Sequence, residues 1–210
     1  MDSQTPSTPS VSKSRLEAFS DGVLAIVITL LVLELKVPDH LEHGAFVAAL
    51  RAQLPRFLAY VLTFFSTGVF WVAHHLLLQA TSRVDRAVLW INNGFLLSVA
   101  LLPFTAGLLG SYLREPGAVA LYGANLIAVE VCLLWLWSHC ARHLLRPEIT
   151  PAFVRLAFRR FHVATLLYAG ATCLALAGPD VLWLSLVLFW MVPLSYVLLQ
   201  TVVDRRAGRL

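Results

Sequence analysis

The chain has 210 residues and a net charge of +4; it is 59% hydrophobic, only 13% charged, and has a mean hydropathy of +0.75. A water-soluble domain wraps a limited core in a charged surface, so a chain this apolar is excluded from that class. Lipid must solvate most of the surface, and since a spanning helix takes about 20 residues the length admits several of them joined by short loops. The long apolar runs lack the alternation of a membrane β-barrel, so the expected fold class is an all-α membrane protein with six transmembrane helices per subunit.

In chain order, residues 1–14 are polar and rich in Ser, Thr and Pro, with no apolar run and no cleavage signal. They read as a disordered cytoplasmic tail rather than a secretory leader, which leaves residues 15–210 as the membrane domain. The expected spans run from about Leu16 to Val37, Leu54 to Ala80, Ala87 to Leu113, Ala118 to Cys140, Phe158 to Ala177 and Val181 to Val203. Gly178-Pro179-Asp180 reads as the tight turn of a hairpin between the last two. The stretch from Arg142 to Arg160 reads as a basic cytoplasmic anchor, with Phe153, Leu156, Ala157 and Phe161 at the spacing of an interfacial amphipathic helix.

Charge orients these spans. With both termini cytoplasmic, that side holds twelve of the sixteen Lys and Arg residues, leaving Lys36, Arg51, Arg56 and Arg114 opposite. This positive-inside imbalance places the chain in a cell membrane as a multi-pass protein. It also accounts for the net charge without a nucleic-acid partner.

The first span carries the unusual chemistry. An Asp at the end of a membrane helix must face protein or water, which would turn Ser20 and Asp21 into a bundle interior or vestibule. As helix-start caps they would instead satisfy orphan amides, and the residue types alone leave both readings open. Beyond them a helical face reads Ile26, Thr29 and Leu33, with Gly22 and Val23 below; steps of three and four place these side chains in one column, with Ile26 and Leu33 about 10 Å apart. Several copies around an axis would turn each position into a ring: Ile and Leu rings close or dewet a pore, and a Thr ring offers hydroxyl oxygens. Ordinary apolar packing produces the same periodicity.

Other polar residues suggest no reaction chemistry. His74 and His75 are adjacent on one helix and point apart, so they do not converge on a metal; His139 and His143 share a face but suit the dipole at a helix C-terminus. Glu130 is a lone intramembrane carboxylate, expected to hydrogen-bond between helices. Cys132, Cys140 and Cys173 have no metal-like spacing and read as small membrane-buried side chains. No zinc-protease or nucleophile-elbow motif is present, so an enzyme is not expected, nor a metal or cofactor. A secondary transporter is the alternative class, although Pro103 and Pro193 are single and lack the paired breaks of transporter helices.

The motif Arg15-x-x-x-Phe19-Ser20-Asp21, with its helix ending Leu33-Glu34-Leu35, resembles the signature of bacterial relatives of the lysosomal and endosomal potassium channel, transmembrane protein one-seventy-five. The resemblance continues in Phe70-Trp71-x-x-His74-His75, in Leu89-Trp90-x-Asn92 leading to Leu102-Pro103-Phe104, and in Ala120-Leu121-Tyr122-Gly123-Ala124-Asn125. It implies a potassium-permeable cation channel without a carbonyl selectivity filter, and the Thr-Val-Gly-Tyr-Gly loop is indeed absent from the sequence. By the same resemblance, Ile26 forms the constriction, Thr29 is linked to ion discrimination, and Leu33 is the next apolar layer. Arg15, Asp21, Trp71, His74 and Asn92 would brace the pore helix. One signature per chain implies a homotetramer, with potassium and other monovalent cations as permeant species and no cofactor.

Overall fold

The computed structural model describes residues 12–36 and 45–207, with side chains described as far as Tyr196. Eight α-helices follow one another there: α1 (Lys13–Leu30), α2 (Ala45–Ala52), α3 (Leu54–Ala80), α4 (Arg86–Ala100), α5 (Leu102–Ser111), α6 (Pro116–His143), α7 (Pro151–Ala177) and α8 (Leu182–Ala207). A 3₁₀ turn, Leu31–Glu34, extends α1, and another, Pro179–Val181, precedes α8. Six stretches among the described residues are long and apolar enough to cross a membrane: α1 with its 3₁₀ turn, α2 with α3, α4 with α5, α6, α7, and the start of α8.

Local chemistry sets the boundaries. Asp85 caps α4, its carboxylate accepting the Val88 amide at 2.9 Å, and Thr150 caps α7 by accepting from the Phe153 amide at 3.3 Å. Pro116 and Pro151 each open a helix, where a missing N–H removes nothing from the ladder. Gly178 ends α7 with φ of 137°, a conformation that side chains with a Cβ rarely adopt.

The structure differs from the expected elements in three places. The third span is two helices that break at Leu101: Pro103 has no N–H to give the Val99 carbonyl, and its ring crowds that oxygen. The fifth span begins at Pro151 rather than Phe158, so the arginines Arg155, Arg159 and Arg160 ride on the N-terminal turns of α7 instead of on a separate interfacial helix. At the front, α1 begins at Lys13, so only residues 1–11 of the expected tail lie outside the described residues, as does Val37 at the far end of the first span.

The core lies between α3, α4, α5 and α6, with α7 and α8 packed against α6 and α3. Close approach of α5 to its neighbours depends on small residues: toward α3, a Cβ on Gly110 would stand 2.7 Å from the Arg56 Cα, and toward the 3₁₀ turn after α1, one on Gly107 would run into the Glu34 carboxylate. Asn125 Nδ2 donates to Thr105 Oγ1 at 3.1 Å, tying α6 to α5. On the side holding the α3–α4 loop, chain segments clamp together. Ser82 N donates to the Leu144 carbonyl at 2.8 Å, Arg146 N to the Ala80 carbonyl at 3.0 Å, and Lys13 Nζ of α1 to the Thr81 carbonyl at 3.0 Å.

Candidate functional site

α1 is two-faced. Leu16, Ser20, Leu24 and Val27, followed by Leu31 of the 3₁₀ turn, are buried against α3, α4 and α5, steps of three and four that keep one stripe inside. The opposite stripe is open: Arg15, Phe19, Gly22, Ile26, Thr29 and Leu33 are exposed, Ile26 at 60% and Leu33 at 69%. Among the described residues, nothing beyond its own stretch of helix lies within 4 Å of a Cβ built on Gly22.

Exposure alone does not separate a pore face from a lipid face. Only 28% of the apolar stretch of α1 is buried, the same share as for α7 and the last span, against 56% for the α2–α3 span and for α6. Composition adds a difference of degree. The open faces of α7 and α8 present Leu166, Leu176, Trp183, Met191 and Leu194, with the exposed Arg155, Arg159 and His162 gathered in the first half of α7 and Ser195 on α8. The open face of α1 carries Gly22 and Thr29 beside Ile26 and Leu33, with Arg15 near its start.

The 3₁₀ turn alters the expected column. Three residues at 120° each, in place of 100°, swing Leu33 about 60° around the axis and lengthen its separation from Ile26 to about 12 Å. Leu33 remains exposed after that swing. Thr29 Oγ1 donates to the Ile26 carbonyl at 2.8 Å, which spends its hydrogen on its own helix and turns oxygen lone pairs outward.

Two hydrogen-bonded links hold the packed side of α1 to its neighbours. The Trp71 indole Nε1 of α3 donates to Asp21 Oδ1 at 2.9 Å. Next to it, buried Asn92 of α4 donates through Nδ2 to Ser20 Oγ at 3.0 Å, while its Oδ1 lies 2.7 Å from His74 Nε2 of α3. Asn92 Oδ1 has only lone pairs, so His74 carries its proton on Nε2. The His74 ring stacks on Phe95 with centroids 5.1 Å apart and 7° between planes. Ser20, Asp21, Trp71, His74 and Asn92 thus form one brace among three helices, and the cap role for Ser20 and Asp21 falls away because α1 begins seven residues earlier.

Arg15 is not in that brace. Six residues at 100° put it about 120° around the axis from Asp21, on the open face, and among the described residues it makes no ion pair. Phe19, one turn further on, is likewise exposed and outside the brace. Glu17 pairs at 3.7 Å with Lys13.

The remaining polar groups fall elsewhere. His75 points away from His74, toward Gln79 at 2.8 Å, and stacks on Trp71. His139 meets Asp85 rather than a metal, Nε2 to Oδ2 2.8 Å. Burial pushes the Asp85 carboxyl up, but the Val88 amide and then the His139 side chain outweigh it, so its pKa lies below the usual carboxylate value. Sequence reasoning missed this pair, because 54 residues separate its members. Glu130 differs from expectation: it is buried in α6, and its Oε2 has no hydrogen-bond partner among the described residues.

Comparison with known proteins bears on this arrangement. Residues 15–103 match the family model described as endosomal/lysosomal potassium channel TMEM175. A potassium channel of Streptomyces collinus is 40% identical over 160 residues, 73% of this chain and 78% of that protein. The human endosomal/lysosomal proton channel TMEM175 is 34% identical over 186 residues, 78% of this chain but only 36% of the human one. The crystal structure of a lysosomal potassium-selective channel TMEM175 homologue from Chamaesiphon minutus superimposes with a TM-score of 0.79 at 32% identity, covering 89% of this chain and 96% of that one.

Proposed function

The chain belongs to the TMEM175 family of channels, as a multi-pass membrane protein and not an enzyme, and on that premise we propose that four copies assemble with α1 around a central axis to form a potassium-permeable pore. The observation that carries this reading is the open stripe of α1, a partly polar face that no other described element covers. A face of that kind gains cover from identical faces in a closed ring of copies. The human relative spans this chain with 36% of its length, which fits two such units in one longer chain.

In the assembled pore Ile26 forms the narrowest ring, and its apolar side chains close or dewet the path in place of a carbonyl filter. Thr29 lies one turn away with its oxygen facing the axis, able to replace part of a cation's hydration. Leu33 adds a second apolar layer, swung out of line by the 3₁₀ turn. Asp21 makes no ion pair among the described residues and contributes negative potential at the mouth, while the Trp71 hydrogen bond fixes its position. Both termini lie in the cytoplasm, on the side that holds most of the arginines.

The test is ion flux through purified protein in liposomes with opposed potassium and sodium gradients. A conductance reversing toward the potassium equilibrium potential is expected. Absence of flux from inserted tetramers, or flux that requires a coupled counter-ion, would turn the reading toward a transporter.

A further inference from the structure

Away from α1, a cavity of about 310 Å³ opens between α3, α6, α7 and α8. Its walls are aromatic and aliphatic: Phe70, Trp137, Phe153, Phe161 and Tyr196 contribute rings, with Ala73, Ala164 and Leu167 between them. One acid lines it. Glu130 stands near the middle of α6, only 3% exposed, and its buried Oε2 has no partner among the described residues. The cavity also holds Arg159 and Arg160, but neither pairs with Glu130: the ion pairs among the described residues join Lys13 to Glu17 and His139 to Asp85. The Arg160 guanidinium lies instead over the Tyr196 ring, 5.6 Å from its centroid.

An acceptor left without a donor inside the membrane is unfavourable, and native structures seldom keep one without a function. Arg159 is exposed and Arg160 lies over Tyr196, so the buried carboxyl group is set among aromatic faces, and that combination suits one chemical class above others. Ring quadrupoles attract an organic cation, the carboxylate completes its charge, and apolar walls take up its hydrocarbon body. We propose that this cavity is a binding site for a hydrophobic organic ammonium ion, its nitrogen against Glu130 and its apolar body among Phe70, Phe161 and Leu167.

The site is separate from the open stripe of α1 but mechanically connected to it. Phe70 and Ala73 line the cavity from α3, and the adjacent Trp71 and His74 of the same helix hold Asp21 and, through Asn92, Ser20. An occupant that shifts α3 therefore reaches the pore helix through two hydrogen-bonded links.

The test is a binding measurement on the full chain in lipid nanodiscs, with empty nanodiscs subtracted. The probes are 1-adamantylammonium, neutral 1-adamantanol and anionic 1-adamantanecarboxylate, which share a body and differ in the polar group. Saturable binding of the ammonium probe is expected, stronger than that of the other two and weakened at least about tenfold by Glu130→Gln, which keeps shape and removes charge. Ala164→Phe, which fills the cavity without touching the carboxylate, should abolish it as well and covers the case in which Glu130→Gln fails to fold. Ammonium binding that survives either variant overturns the proposal. So does preferential binding of the carboxylate probe with loss in Arg159→Ala/Arg160→Ala, which would assign the cavity to anionic amphiphiles. Because the readout is binding and not flux, failure here leaves the channel reading standing, and failure of the channel reading leaves this result intact.

Discussion

Asn92 satisfies two partners at once: its amide nitrogen donates to Ser20 and its oxygen meets His74, and all three groups are buried. Asn92→Leu would strand a serine hydroxyl and an imidazole N–H inside the bundle, so a loss of about 2–4 kcal/mol is expected, read as a lower melting temperature of the purified protein. Trp71→Phe removes only the bond to the more exposed Asp21 and should cost about 1–2 kcal/mol by the same measurement. Asp21→Ala is expected to weaken assembly more than selectivity, and intact tetramers with an altered potassium preference would contradict that. At the open stripe, Ile26→Asn should raise leak and flatten discrimination between potassium and sodium in the flux assay; unchanged currents would place the pore elsewhere. The motif made Asp21 and Ser20 stand out in the sequence, but only folding shows that they go to different partners, and that Arg15, drawn from the same motif, goes to neither.

At the scale of an element, α4 starts where it does because Asp85 caps it, and Asp85 also ties α4 to the end of α6 through His139. Its folded pKa is depressed, so the stability it contributes is present above the usual carboxylate range and is lost as pH falls through the lowered value. Asp85→Asn keeps a capping oxygen but not the charge; the variant should melt lower than wild type near neutrality, with the gap closing at acid pH. A larger element-level effect is expected where helices touch through glycine. Gly110→Ala would press a Cβ against the Arg56 backbone, which cannot swing aside as a side chain tip does, and should destabilise by about 1–3 kcal/mol, read from thermal melts. The split of the third span at Leu101 was not legible in Pro103, because a proline alone does not decide a break: Pro193 sits inside an unbroken α8. The early start of α7 was hidden too, since arginines on a helix end and arginines in a loop look alike in sequence.

For the whole molecule, the expectation is a particle of four chains, checked by light scattering with the detergent contribution subtracted. A monomeric particle that still conducts would overturn the arrangement around α1. The open stripe is the reason to expect assembly: Gly22 and Thr29 stand beside Ile26 and Leu33 on a face that no other described element covers.

Hydrophobic composition and the lengths of the apolar runs determined that the chain crosses a membrane as helices, because lipid offers no other partner for backbone amides. The motif around Phe19-Ser20-Asp21 singled out the first helix, and steps of three and four determined which of its residues share a stripe. The tertiary structure decided which stripe is packed, because only contact with α3, α4 and α5 distinguishes Leu24 and Val27 from Ile26 and Thr29, residues one or two positions apart. It also brought together Asp85 with His139, and Trp71 with Asp21, since hydrogen bonds form between neighbours in space and sequence distance carries no trace of them. The unpartnered oxygen of Glu130 belongs to the same class, because a missing partner becomes visible only when every neighbour is in place.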